Sequence, residues 1–165
     1  MSTFAPKQVL VPVDFSDFSA YLRDVAMDFA EQWGANLTFL NIVEPISGYT
    51  LAMAGLAADD DIIERVEEGA RSEMEKFLAP ISKRAAKAGL KIQGRVVPGL
   101  PVQEIKRVAE KVKADLILTT THGRTGIAHA IIGSVAERLV RESPIHVMVL
   151  RAPLLLSQTP KPKKK

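Results

Sequence analysis

Thr119–Ser134 reads "TTTHGRTGIAHAIIGS". The apolar run "ADLIL" (114–118) precedes it, and the amphipathic pattern "GSVAERLVRES" (133–143) follows it. A buried strand therefore feeds a helix through a long segment holding Gly123, Gly126 and Gly133, a histidine and an arginine. This junction is either a generic strand-to-helix turn or a cradle for phosphate. The glycines would let backbone N–H groups turn toward a ligand. A helix opening at Gly133-Ser134 would present its first amides and positive dipole end to an anion.

The same alternation runs through the rest of the chain. "QVLVPV" (8–13) reads as a first strand and "SDFSAYLRDVAMDFAEQW" (16–33) as a helix, with Ser16 or Ser19 as N-cap and Gly34 as its stop. "ANLTFLNIV" (35–43) is the second strand. Apolar residues then recur every three or four positions from Ile63 to Ala88, which predicts one long amphipathic helix, with Pro80 as a possible kink point and Gly89 as its end. "KIQGRVV" (91–97) is a third strand, "PVQEIKRVAEKVK" (101–113) a helix with Pro101 at its start, "ADLILTT" (114–120) a fourth strand, and "IHVMVLR" (145–151) a fifth. Strands too apolar to leave one face wet, each separated by a helix, predict an α/β fold: a doubly wound, five-stranded parallel sheet with helices on both faces.

Ligands of such sheets bind beyond the carboxyl ends of the strands, where the strand order reverses. That rule brings Asp14, Ile42 and the segment from Thr120 to one edge. The stretch "EPISGYTLAMAGLAADDD" (44–61) leaves the same edge and is either a surface excursion or a flap over the ligand.

Bulk properties exclude several classes. At 165 residues the chain makes one domain with a full core. The expected boundaries are a folded domain over 1–152 and a disordered basic tail over 153–165. It has no cysteine, which removes disulfide and thiolate chemistry and fits a cytoplasmic location. Neither a signal peptide nor an apolar run near the ~20 residues of a membrane span is expected. The net charge of +3 comes from four lysines in "KPKKK" (161–165); without them the rest carries one net negative charge, three less four. A basic tail on a near-neutral body is a poor nucleic-acid interface, so nucleic acid is not an expected partner. His122, His129 and His146 lack metal-ligand spacing, and no protein-built metal site is expected.

The junction contains neither a Walker P-loop nor a G-x-G-x-x-G fingerprint. Written as Thr120-x2-Gly123-x9-Gly133-Ser134, however, it resembles the G-x2-G-x9-G-[ST] signature of nucleotide-binding universal stress proteins. The string "THGRTG…GSVAERLVRESPIHVMVLR" is very similar to that family, as is "VLVPVDFSDFSAYL" at the other end, so the resemblance covers about residues 7–151.

The resemblance implies a dimer that binds ATP or another adenine nucleotide at the strand ends and acts as a stress-response regulator, with no dedicated catalytic machinery. Pro12, Val13 and Asp14 would line the adenosine side, and Ile42 would meet adenine through its backbone. Gly123, Gly133, Ser134 and Val135 would hold the phosphates, with Thr119 and Thr120 at the end of the fourth strand. His122 is a turn residue or a phosphate donor, and Arg124 a phosphate partner or a solvated cation. Mg²⁺ would arrive on the phosphates, with Ser134 as its nearest contact. The homodimer would form through Ile145–Arg151, and Leu154–Leu156 would extend that interface. One position departs from the signature. Thr120 stands where the first glycine is expected, and its side chain could crowd the ribose or first phosphate. A nucleotide-free dimeric adaptor is therefore the alternative, and a weak ATP-hydrolysing enzyme a more distant one.

Overall fold

The computed structural model describes residues 4–45, 60–121 and 133–151. The elements alternate along the chain: β1 (Gln8–Pro12), α1 (Asp17–Trp33), β2 (Asn36–Val43), α2 (Asp60–Lys87), β3 (Ile92–Pro98), α3 (Pro101–Lys111), β4 (Leu116–Thr120), α4 (Ser134–Glu142) and β5 (His146–Leu150). The five strands form one parallel sheet in the order β3-β2-β1-β4-β5, so chain order reverses between β1 and β4.

Side-chain alternation on the central strands builds two cores. Val9 and Val11 of β1, Leu37 and Phe39 of β2, and Leu116 and Leu118 of β4 face one side. There they meet Leu22, Ala26, Met27 and Ala30 of α1 and Met74, Phe77, Ile81 and Ala85 of α2. Leu10, Leu40 and Ile117 face the other side, against Val102, Ile105, Val108 and Ala109 of α3 and Leu139 of α4. The continuous apolar strands are thus explained by burial on both faces. Each fully buried Leu or Ile contributes about 1.5–3 kcal/mol.

Element ends follow local chemistry. Ser16, not Ser19, is the N-cap of α1: its side chain accepts from the Ser19 N–H. Gly34 closes that helix at φ 63°, a left-handed conformation natural to glycine. β4 begins at Leu116 rather than Ala114; just before it, the Asp115 carboxylate accepts from the amides of Lys7 (2.7 Å) and Gln8 (2.8 Å). α3 stops at Lys111, two residues short of the sequence expectation, where Lys113 takes φ 53°. α2 continues through Pro80 from Asp60 to Lys87, starting three residues before the apolar pattern does.

β5 lies at one sheet edge and β3 at the other. The candidate flap over 46–59, the tail from 152 and the leucines at 154–156 lie outside the described residues. No helix among the described residues is long and apolar enough to cross a membrane.

Candidate functional site

The carboxyl ends of β1 and β4, side by side at the reversal of strand order, define the candidate site. Two rims flank it. One is the turn from β1 into α1; the other is the start of α4.

The first rim is held by its own side chains. Past Pro12, the Val13 N–H still donates to Leu40 O (2.8 Å), and the buried Asn41 Nδ2 donates to Val13 O (2.9 Å). Asp14 Oδ1 accepts from the Ser16 N–H (3.1 Å), Ser16 Oγ (2.6 Å) and Ser19 Oγ (2.6 Å). The Asp14 N–H in turn donates to Ser19 Oγ (2.9 Å). Between Asp14 and Ser16, Phe15 sits at φ 61°. For a bulky residue this backbone state costs about 1–3 kcal/mol and needs surroundings that impose it. Its ring meets Phe77 of α2 edge-on, with centroids 5.6 Å apart.

The second rim is built differently. Thr121 continues the sheet edge, its N–H donating to Leu150 O (3.0 Å). The chain returns at Gly133, whose N–H donates to Thr121 O (2.8 Å). A Cβ on Gly133 would stand 3.1 Å from that same carbonyl, so the contact favours glycine. Gly133 is the N-cap of α4 and forms no side-chain cap hydrogen bond. The first intrahelical bond runs from the Glu137 N–H to Gly133 O (2.9 Å), so the amides of Ser134, Val135 and Ala136 precede the helical ladder.

Of the residues singled out from sequence, Pro12, Val13, Asp14, Ile42, Thr119, Thr120, Gly133, Ser134 and Val135 all fall at or next to this edge. Ser134 is exposed, and Thr119 is buried within β4. Ile42 and Val135 are partly buried, with side chains packed against the α3–α4 core. His122, Gly123 and Arg124 lie outside the described residues. His146 begins β5, at the opposite end of the sheet, with its ring 5.1 Å from that of Phe4. Among the described residues no group of three His, Cys, Asp or Glu side chains could hold a metal ion.

Sequence reasoning treated Ser16 and Ser19 only as alternative caps and overlooked their joint hold on Asp14. The Asp-x-Ser-x-x-Ser spacing carried that signal, because short polar side chains at such intervals close turns on backbone amides. It also passed over Asn41, a polar residue in an apolar strand beside the sheet edge. Such a residue calls for a buried hydrogen-bond partner.

The universal stress protein family model matches residues 6–151. The chain belongs to the universal stress protein family. Universal stress protein MJ0531 of Methanocaldococcus jannaschii is 33% identical over 147 residues, covering 89% of this chain and 83% of that protein. Among solved structures, universal stress protein UspA from Lactobacillus plantarum shares the fold with a TM-score of 0.75 at 22% identity, over 90% of this chain and all of the other. A universal stress protein in complex with cAMP matches with a TM-score of 0.62 at 26% identity, over 90% of this chain and 98% of that one.

Proposed function

We propose that this universal stress protein binds an adenine nucleotide, ATP foremost, between its two rims and acts as a dimeric stress-response regulator. The observation that carries the reading is the start of α4, which has no side-chain cap among the described residues and lies at the carboxyl end of β4, next to the reversal of strand order. Amides ahead of the helical ladder, together with the helix dipole, suit a phosphate group. The close Gly133–Thr121 contact keeps side-chain bulk out of this approach. The relative solved with cAMP supports a nucleotide of this class. Ser134 would meet the phosphates or a Mg²⁺ ion carried on them. Asp14 and the backbone of Ile42 would face the nucleoside. The loop quoted at the outset has no lysine and no carboxylate, so we assign a binding role rather than rapid phosphoryl transfer. The cytoplasm is its expected location.

The dimer would form by pairing β5 edges. Leu150 O is directed toward β4, where it accepts from Thr121, so Val147 and Val149 direct their backbone groups to the open side. An exposed edge with an apolar face invites a second strand. Val149→Pro removes an outward amide without removing a β4 ladder donor. It is expected to convert a dimer to monomer in sedimentation velocity; an unchanged mass would exclude this edge.

Thr120 favours a second reading, the nucleotide-free adaptor, because its side chain stands where the signature has glycine. Calorimetry with ATP separates the two. Saturable heat at micromolar ligand, with Thr120→Gly binding more tightly, supports the nucleotide reading. Absence of heat at high micromolar ATP in both proteins leaves the adaptor.

A further inference from the structure

The turn that presents Asp14 is closed by polar contacts, yet its central residue occupies a backbone state that those contacts alone do not explain. Phe15 at φ 61° lies between Asp14 and Ser16, whose amide and hydroxyl both donate to Asp14 Oδ1. Its ring reaches α2, lying edge-on to Phe77 at 5.6 Å and 65°. Phe77 is itself fixed from three sides. Its ring is edge-on to the fully buried Phe39 of β2 (5.9 Å, 71°). The Arg23 guanidinium of α1 lies over its face, 5.1 Å from the centroid. Arg23 Nη1 also donates to Phe77 O (3.0 Å), tying the backbone of α2 to α1.

We infer that Phe77 is a positioning residue for the nucleotide site: its ring holds Phe15 in the left-handed state that closes the turn around the Asp14 carboxylate. A β-region Phe15 would swing its ring off Phe77 and separate the Ser16 N–H from Asp14 Oδ1. The aromatic contact therefore couples the seating of α2 to the direction in which Asp14 points. The consequence for ligand affinity rests on the nucleotide reading above; the consequence for the turn does not.

The test measures two things in the wild type, Phe77→Leu, Phe15→Gly and the double variant. Amide hydrogen exchange at Ser16, compared with exchange at the core amide of Leu118, reports closure of the turn. Calorimetry with ATP reports affinity. Phe77→Leu is expected to lower Ser16 protection about tenfold more than that of Leu118 and to weaken ATP about fivefold. Glycine takes φ near +60° without a ring to hold it. With Gly at position 15, the same Phe77→Leu change should alter Ser16 protection less than twofold. An equal loss in both backgrounds means that Phe77 acts only through core stability and overturns the inference, as does no loss with Phe15 present. If Phe77→Leu fails to fold, Phe15→Ala against Phe15→Gly decides the matter in the intact core. Alanine keeps the strain without the ring, so its Ser16 amide should exchange about tenfold faster than glycine's, and equal rates overturn the inference. Should the wild type take up no ATP, the nucleotide reading fails while Ser16 exchange still judges the role of Phe77.

Discussion

Of the helices that begin at the carboxyl edge of this sheet, α1 and α4 treat their first turns in opposite ways. At α1 the sequence supplies its own acceptors: Ser16 caps the Ser19 N–H, and Asp14 gathers the Ser16 amide and two hydroxyls. At α4 the cap is a glycine with no side-chain bond, followed by an exposed serine. A helix that satisfies its amides internally is committed to structure. One that leaves them to its surroundings has room for an outside anion. On the proposed reading, the first rim serves shape and the second would receive phosphate.

Asp14→Ala strikes the closed rim and should have the largest effect. It deprives three donors of their acceptor, one of them the hydroxyl of the buried Ser19. A loss of about 3 kcal/mol in denaturant-derived stability is expected, with ATP binding lost alongside it. A change under about 0.5 kcal/mol would mean the network is not held in solution.

Ser134→Asp sharpens the contrast by closing the open rim with a fixed charge. A carboxylate in the first turn complements the dipole, so stability should rise by about 0.3–1 kcal/mol. The same charge repels a polyphosphate, so affinity for ATP should fall at least tenfold, or about 1.4 kcal/mol. Calorimetry and thermal melting on one preparation read the two opposite signs. If stability and affinity move together, the start of α4 is not the anion seat.

The smallest effect belongs far from both rims. Arg84 of α2 bonds Glu31 (2.6 Å) and Asp28 (2.6 Å) of α1 through exposed side chains. The Arg84 hydrogen bond holds the Glu31 carboxyl below its ordinary range, with the charges of Arg84 and Lys87 adding to it and burial opposing. A depressed folded-state pKa contributes stability above the usual glutamate value of about 4.3 and loses it as pH falls through the depressed value. Arg84→Met should therefore flatten the acid limb of the stability curve slightly and leave ATP binding unchanged. Melting curves in low salt between neutral and acid pH would show it, because salt screens exposed pairs.

Much of this architecture was legible in residue periodicity. The apolar strands, the three-and-four spacing of α2 and the stops at Gly34 and Gly89 are local signals, and local signals survive into the fold. The parallel sheet with a reversal of strand order was legible too, in the βα alternation and strands apolar on both faces, and it is there that the candidate site is placed. What sequence could not supply were interactions joining distant segments. Asn41 meeting the Val13 carbonyl, and Phe77 meeting Phe15, join residues far apart along the chain. Nothing in the spacing of either pair announces the contact. Phe15 shows the same limit in backbone form. A phenylalanine is among the last residues expected at positive φ, and the ring contact it makes there, with Phe77, is tertiary. Short-range surprises, such as α3 ending at Lys111, came instead from the conformation of one residue, Lys113.

The central claim is that the first amides of α4 receive the phosphates. An ¹⁵N-resolved titration of the full chain with ATP tests it directly. The account predicts saturable shifts at the amides of Ser134, Val135 and Ala136, with smaller ones at Asp14. If ATP binds by calorimetry while those three α4 amides stay unmoved, the phosphate seat lies elsewhere and the contrast between the rims has no functional meaning.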